Sequence, residues 1–208
     1  MSITKVIFWD FDGVLMDSNK VRDFGFEVVL SSFPKNEVDR LLEFHRANGG
    51  LSRYVKFRYF FEVIRKETIT SSEVQMWADR FSEIMKQRLV DYNLIIKDSF
   101  DFVQKSKGKY VMHITSGSDE IELRYLCKAL NLDHHFTSIN GSPRSKGEII
   151  KNLIEINAYD KDACVLIGDS FNDFDAAKAN GIEFYGYNSL DLKSVIANYI
   201  ENFENFEF

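Results

Sequence analysis

Val6-Ile7-Phe8-Trp9-Asp10-Phe11-Asp12-Gly13-Val14 decides the fold of this chain. Four apolar residues followed abruptly by polar ones read as a strand buried on both faces, as in a parallel sheet. Two carboxylates stand where that strand must stop, and Gly13 supplies a flexible backbone for a sharp exit. In extended backbone, side chains at i and i+2 point the same way. Like charges that close repel, so the pair requires a cation, a shared proton or a strongly polar setting. A second apolar run, Ala163-Cys164-Val165-Leu166-Ile167-Gly168, leads into Asp169 and Asp173. Four carboxylates at the ends of two core strands point to a metal site at the carboxyl edge of a parallel sheet.

Working outward, Lys5–Trp9, Tyr110–Ile114, Ala163–Ile167 and Ile182–Tyr187 read as strands, with a weaker fifth near Phe136–Ile139. Helical spacing of apolar residues runs through Ser118–Leu130, Lys146–Ile156 and Phe171–Asn180, the last stopped by Gly181. Strands alternating with helices predict an α/β, doubly wound, Rossmann-like parallel sheet. Asp17–Lys97 breaks this rhythm and shows only helical patterns. They run over Asn19–Phe33, stopped by Pro34, then from about Asn36 to Gly49-Gly50, over Ser52–Lys66, and from Thr70 to about Asp91. Thr70 and Glu73 have the spacing of a capping box. The division expected is a core of residues 1–16 and 97–208 carrying an inserted helical domain at 17–96. The aromatic tail Tyr199–Phe208 reads as a frayed or surface-packed terminus.

The net charge of −6 argues against a general nucleic-acid binder, which needs a basic face. Cys127 and Cys164 lie in apolar stretches and are expected to be buried free thiols. No apolar segment is long enough to span a membrane, and the start of the chain shows no leader-type cleavage site; a monomer or weak homodimer in the cytoplasm is expected.

Four motifs in order resemble those of the haloacid dehalogenase superfamily of phosphohydrolases: Asp10-Phe11-Asp12-Gly13-Val14, Thr115 after its strand, Lys146 within Gly141–Gly147, and Gly168-Asp169-Ser170-Phe171-Asn172-Asp173. The position of the helical insert is similar to that of the phosphoglycolate phosphatase and β-phosphoglucomutase branch. Read singly, Asp12-Gly13 could make a turn, Asp169 could cap a helix and Lys146 could be a solvated charge. Those readings do not explain why all converge on one sheet edge.

The resemblance implies a role for each position. Asp10 is the expected nucleophile, forming an aspartyl-phosphate, and Asp12 the expected general acid and then base. Mg²⁺ is expected on Asp10, Asp169 and the Asp12 carbonyl, with Asp173 either a ligand or a residue orienting one. Lys146 is expected to neutralise phosphoryl charge. Thr115 is favoured for a phosphoryl oxygen because it directly follows the strand, with the neighbouring hydroxyls of Ser116 and Ser118 as alternatives; the Ser116 and Gly117 amides could add donors. The insert is expected to act as a cap hinged at Leu15–Ser18 and Asn93–Asp98. It offers Arg22, Arg53 and Lys56 as substrate-contacting candidates, while Tyr54, Phe57, Tyr59 and Phe60 read as cap core, and His45, His113 and His134-His135 as core or surface.

The expected activity is a Mg²⁺-dependent phosphatase acting on a small phosphorylated metabolite such as a sugar phosphate. The alternatives are a β-phosphoglucomutase-like phosphotransferase, or a binding protein on the same fold. Asp12 disfavours dehalogenase chemistry, which has no use for an acid-base carboxylate there.

Overall fold

A computed structural model describes residues 5–208, so the first four residues of the expected 1–16 segment lie outside the described residues. Strand β1, Val6–Trp9, is buried along its whole length. It pairs in parallel with β2, Val111–Asp119, on one side and β4, Cys164–Gly168, on the other. With β3 (Ser138–Ser142), β5 (Glu183–Tyr187) and β6 (Tyr199–Ile200) this makes one parallel sheet in the order β3-β2-β1-β4-β5-β6. The alternation of strand side chains divides the core in two. Ile7, Trp9, Ile114 and Val165 join one apolar cluster, and Val6, Phe8, Cys164 and Leu166 the other. Both cysteines are buried and free.

Helices α1 (Asn19–Val29), α2 (Lys35–Ala47), α3 (Arg53–Arg58) and α4 (Ser71–Arg88) follow β1 directly. Helix α3 runs on into a π-helical segment, Tyr59–Arg65. Phe57, Phe60 and Phe81 are fully buried among these helices, which bury their apolar faces on one another. The Thr70–Glu73 capping box opens α4. The chain leaves and re-enters the sheet side by side: the Asp17 amide donates to Leu94 O at 2.7 Å and the Ile96 amide to Leu15 O at 3.0 Å. Helices α5 (Lys97–Lys105), α6 (Glu120–Ala129), α7 (Lys146–Asn157) and α8 (Phe171–Asn180) then link the remaining strands, and α9 (Leu190–Lys193) precedes β6.

Several sequence expectations shift. Helix α1 ends at Val29 rather than Phe33, and Pro34 stands at the entry of α2 instead of merely stopping its predecessor. The helical pattern expected to begin at Ser118 begins at Glu120, because β2 continues to Asp119, whose side chain caps α6 by accepting from the Glu122 amide at 3.0 Å. Helix α5 was not foreseen. The tail is no frayed terminus: Tyr199–Ile200 adds a strand beside β5. Phe203 is buried, stacks 5.5 Å from Trp9 and 4.9 Å from Phe102, and donates its amide to the Asp98 carboxylate. The aromatic alternation of the tail covers a sheet face that a charged segment would leave open to water.

Candidate active site

The backbone leaving β1 builds the site. The Asp10 amide donates to Ile167 O at 2.9 Å, holding the end of β1 against β4. The chain then turns through Gly13 at φ +79°, and the Leu15 and Met16 amides return to Phe11 O. A Cβ on Gly13 would lie 1.9 Å from Asp169 Oδ2, so both the positive φ and the approach of Asp169 require glycine here. Gly13→Ala is expected to lower stability by about 1 kcal/mol or more and to displace Asp169; urea unfolding together with steady-state kinetics measures both effects.

Lys146, the first residue of α7, is buried and places Nζ 2.8 Å from Asp10 Oδ1. The same ammonium hydrogen-bonds Asp173, whose other oxygen accepts from the Ser170 amide at 3.1 Å and from Ser170 Oγ at 2.7 Å. Asp10, Asp169 and Asp173 each present an oxygen within 4.8 Å of the others. Burial raises the Asp10 pKa well above the carboxylate range, Asp173 and Asp169 add to the rise, and Lys146 opposes it. Burial and Asp173 likewise push Asp169 up to about 7. Burial acts to lower the Lys146 pKa, but Asp10 and Asp173 outweigh it and hold the ammonium charged. Two buried carboxylates and the half-buried Asp169 around a single ammonium leave excess negative charge, and a hard, oxygen-seeking divalent cation fits that donor set.

Asp12 sits in an opposite setting. Its carboxylate accepts from Ser18 Oγ, Ser118 Oγ, Arg22 Nε at 3.0 Å and Arg22 Nη2 at 3.3 Å. Burial acts to raise its pKa, yet Arg22 and the two serine hydroxyls hold it below the ordinary value. Arg22 Nη1 also donates at 2.6 Å to Glu122, a fully buried carboxylate on α6. Arg53 Nη2 meets the same carboxylate at 2.9 Å, and Arg53 Nη1 reaches both it and Ser82 Oγ, at 2.7 Å from the latter. The Arg53 guanidinium lies 4.6 Å from the centre of the Phe81 ring. Glu122 therefore ties α1 and α3 to the sheet-bearing part of the molecule.

The expected site residues are not all brought together. Asp10, Asp12, Arg22, Arg53, Ser116 and Gly117 line one cavity. Thr115 does not. It is fully buried and its Oγ1 has no partner among the described residues. β2 runs on beyond Ile114, and in its alternation Ser116 lies on the cavity side while Thr115 points the other way. Arg22 and Arg53 reach the cavity wall, but Asp12, Ser118, Glu122 and Ser82 occupy their guanidiniums. Ser18, Glu122 and the buried His45 were missed as site residues; only the polarity of Glu122 on an otherwise apolar helix face marks it in the sequence.

The helical block closes directly onto this site. A Cβ on Gly117 would lie 2.4 Å from Gly50 O, and one on Gly50 would lie 2.8 Å from Asn172 Cβ. The cavity beneath holds about 30 Å³, room for about two water molecules. Beside it, between Asp12, His45, Asp169 and Asn188, lies a wider recess of about 310 Å³.

The sequence matches the haloacid dehalogenase-like hydrolase family model over residues 6–187. No functionally curated protein matches it. Among solved structures, the fold is similar to a β-phosphoglucomutase from Clostridium difficile, with TM-score 0.79 at 13% identity over 99% of this chain and 94% of that one. CbbY from Rhodobacter sphaeroides in complex with xylulose-(1,5)bisphosphate gives TM-score 0.77 at 13% identity, over 98% and 96%. A predicted phosphoglycolate phosphatase from Haemophilus somnus gives 0.72 at 16%, over 98% and 96%. No helix among the described residues is long and apolar enough to cross a membrane.

Proposed function

The chain belongs to the haloacid dehalogenase-like hydrolase family, and from that premise we propose that it is a Mg²⁺-dependent phosphatase of small phosphomonoesters. The observation that carries this reading is the contrast between Asp10 and Asp12: two carboxylates two positions apart, one held by Lys146 beside further acids, the other by Arg22 and two hydroxyls. Such paired but opposite environments suit two different chemical roles.

In this mechanism an Asp10 carboxylate oxygen attacks phosphorus in line with the ester oxygen. The P–O ester bond breaks, an aspartyl-phosphate forms, and the departing alkoxide takes a proton from Asp12. This requires the bound phosphate's negative charge to raise the Asp12 pKa from the low value that Arg22 and the two hydroxyls set in the free protein. Asp12, now ionised, then takes a proton from water as the water oxygen attacks phosphorus. Phosphate departs and Asp10 is regenerated. Ser116 replaces Thr115 as the hydroxyl for a phosphoryl oxygen, and the Gly117 amide beside it faces the same space. Lys146 offsets the phosphoryl charge and keeps Asp10 available as a carboxylate. Asp10, Asp169 and the Asp12 carbonyl would hold Mg²⁺, with Asp173 fixing Lys146. The cation would offset the repulsion between the attacking carboxylate and the phosphate dianion. Residues 17–96 serve as a cap moving on the paired crossings near residues 15–18 and 93–98, because the cavity beneath them is too small for an entering ester.

Phosphate release from a panel of phosphomonoesters, with Mg²⁺ and with a chelator, tests this reading. Metal-dependent release without a bisphosphate activator supports hydrolysis over return of the phosphoryl group to a sugar. Lys146→Ala is expected to lower kcat at least about 100-fold; wild-type turnover in the folded variant would remove Lys146 from the mechanism. A pH dependence follows from Asp169, with its pKa near 7. Metal ligands must be deprotonated, so Mg²⁺ competes with a proton at pH 5.5 and not at pH 8. Mg²⁺ should therefore raise Tm clearly at pH 8 and little at pH 5.5, and an equal rise at both would contradict the ligand assignment.

A further inference from the structure

We propose that Lys56 and His45 form a subsite that reads a hydroxyl group on the substrate's non-phosphoryl end; this deepens the phosphatase reading and rests on it. Both side chains come from the helical block and line the cavity that contains Asp10, Asp12 and Ser116. Lys56 is 3% exposed and His45 7%, so neither is a solvated surface group. The arginines on the same wall are committed to Glu122, Asp12 and Ser82 and have little left to offer a ligand. Among the described residues, by contrast, the only hydrogen bond from the Lys56 ammonium goes to Gly49 O, at 3.2 Å. Burial pushes the Lys56 pKa down to about 7, so near neutrality the group is part ammonium and part amine. In either form at least one N–H beyond the bond to Gly49 remains for an incoming acceptor.

His45 supplies the complementary half. Burial, reinforced by the Lys56 and Arg22 charges, pushes its pKa down to about 2, so the ring is neutral. Asp23 Oδ1 lies 3.7 Å from Nε2, too far for a hydrogen bond, but its negative charge on that side favours the proton on Nε2 over Nδ1, whose lone pair is then the acceptor. Nδ1 is buried and has no partner among the described residues, an arrangement that costs stability until a donor arrives. The Phe26 ring, 5.0 Å away, fixes the imidazole orientation.

A donor from Lys56 and an acceptor on His45 match a group that both accepts and donates. A hydroxyl does so. A carboxylate only accepts and would face the Nδ1 lone pair, and a methylene satisfies neither partner. Both side chains share this cavity with Asp10 and Asp12, which places the hydroxyl they would read near the phosphoester. A site built to hydrogen-bond a hydroxyl discriminates strongly against an analogue lacking it, because the buried partners are then left unpaired.

The test compares kcat/KM for glycerol 1-phosphate, propyl phosphate and 2-phosphoglycolate in the wild type, Lys56→Met and His45→Phe, with p-nitrophenyl phosphate as a substrate free of the hydroxyl. The wild type should favour glycerol 1-phosphate over both propyl phosphate and 2-phosphoglycolate by about tenfold or more. Each variant should bring the glycerol-to-propyl ratio toward one, and because a ratio is read, a general loss of activity cancels. If His45→Phe fails to fold, Lys56→Met and Lys56→Gln carry the same comparison. Turnover of p-nitrophenyl phosphate with no preference among the esters, a preference for 2-phosphoglycolate, or a ratio unchanged in the variants overturns the subsite and leaves the phosphatase reading standing. No phosphate from any ester overturns both.

Discussion

Asp10→Asn should abolish phosphate release while leaving the protein as stable as the wild type or more so. The amide retains the shape of the side chain but lacks the nucleophilic carboxylate, so turnover should fall by at least about a thousandfold. Stability should respond the other way because Asp10 is buried beside Asp169 and Asp173, and its pKa is raised by burial and by those neighbours. A carboxylate whose folded pKa lies above its unfolded value contributes stability below the unfolded value and loses it as pH rises through the folded one. Near neutral pH the ionised Asp10 therefore costs stability in the metal-free protein, and removing its charge relieves that cost. Lys146 keeps Asp173 as a partner in the variant, so no buried cation is stranded. Thermal unfolding without metal, beside phosphate release with Mg²⁺, gives both quantities. A Tm several degrees lower in the variant would show that the Asp10–Lys146 pair stabilises more than the repulsion costs.

Glu122→Ala should give the largest loss of stability. The carboxylate is fully buried, bonded to Arg22 at 2.6 Å and to Arg53 at 2.9 Å. Truncation leaves two buried guanidiniums facing each other, and removing one partner of a buried charge network costs about 3–5 kcal/mol. The effect should reach catalysis as well, because Arg22 also holds Asp12. Freed from Glu122, it can pair more closely with Asp12 and hinder protonation of the acid. Glu122→Gln, which keeps hydrogen-bond acceptance and loses charge, should fall between. Urea unfolding of the three proteins measures the ordering. Equal stability of Glu122→Ala and the wild type would mean that solvent reaches the arginines and that the network is not a tie between the helical block and the rest.

The parts of the fold legible in the sequence were those set by local pattern. Val6–Trp9 could only be a doubly buried strand, and the acids after it and after Gly168 marked one sheet edge. The Thr70–Glu73 cap was likewise local. What escaped depended on distance or parity. Whether Thr115 or Ser116 faces the cavity turns on the parity of β2 against its neighbours, which no local window contains; the strand runs on through both residues and puts Ser116 on the cavity side. The Arg22–Glu122–Arg53 network joins residues 100 and 69 positions apart, which periodicity cannot connect. His45, one polar residue on an amphipathic helix, had the same local signature as an ordinary core histidine. Whether the tail frays or packs could not be decided locally, because its pattern is amphipathic only against the Trp9 and Phe102 face, which no local window contains.

The central claim is that the phosphoryl group passes through Asp10. Acid quench of the Mg²⁺-loaded enzyme within a single turnover of its best ester, followed by peptide mass spectrometry, tests this most directly. The expected result is an acid-stable, base-labile phosphoryl group on the peptide containing Asp10, formed and lost at rates that match turnover and absent from Asp10→Asn. Phosphate release by Asp10→Asn at the wild-type rate, or a phosphoryl group found on another residue, would contradict it.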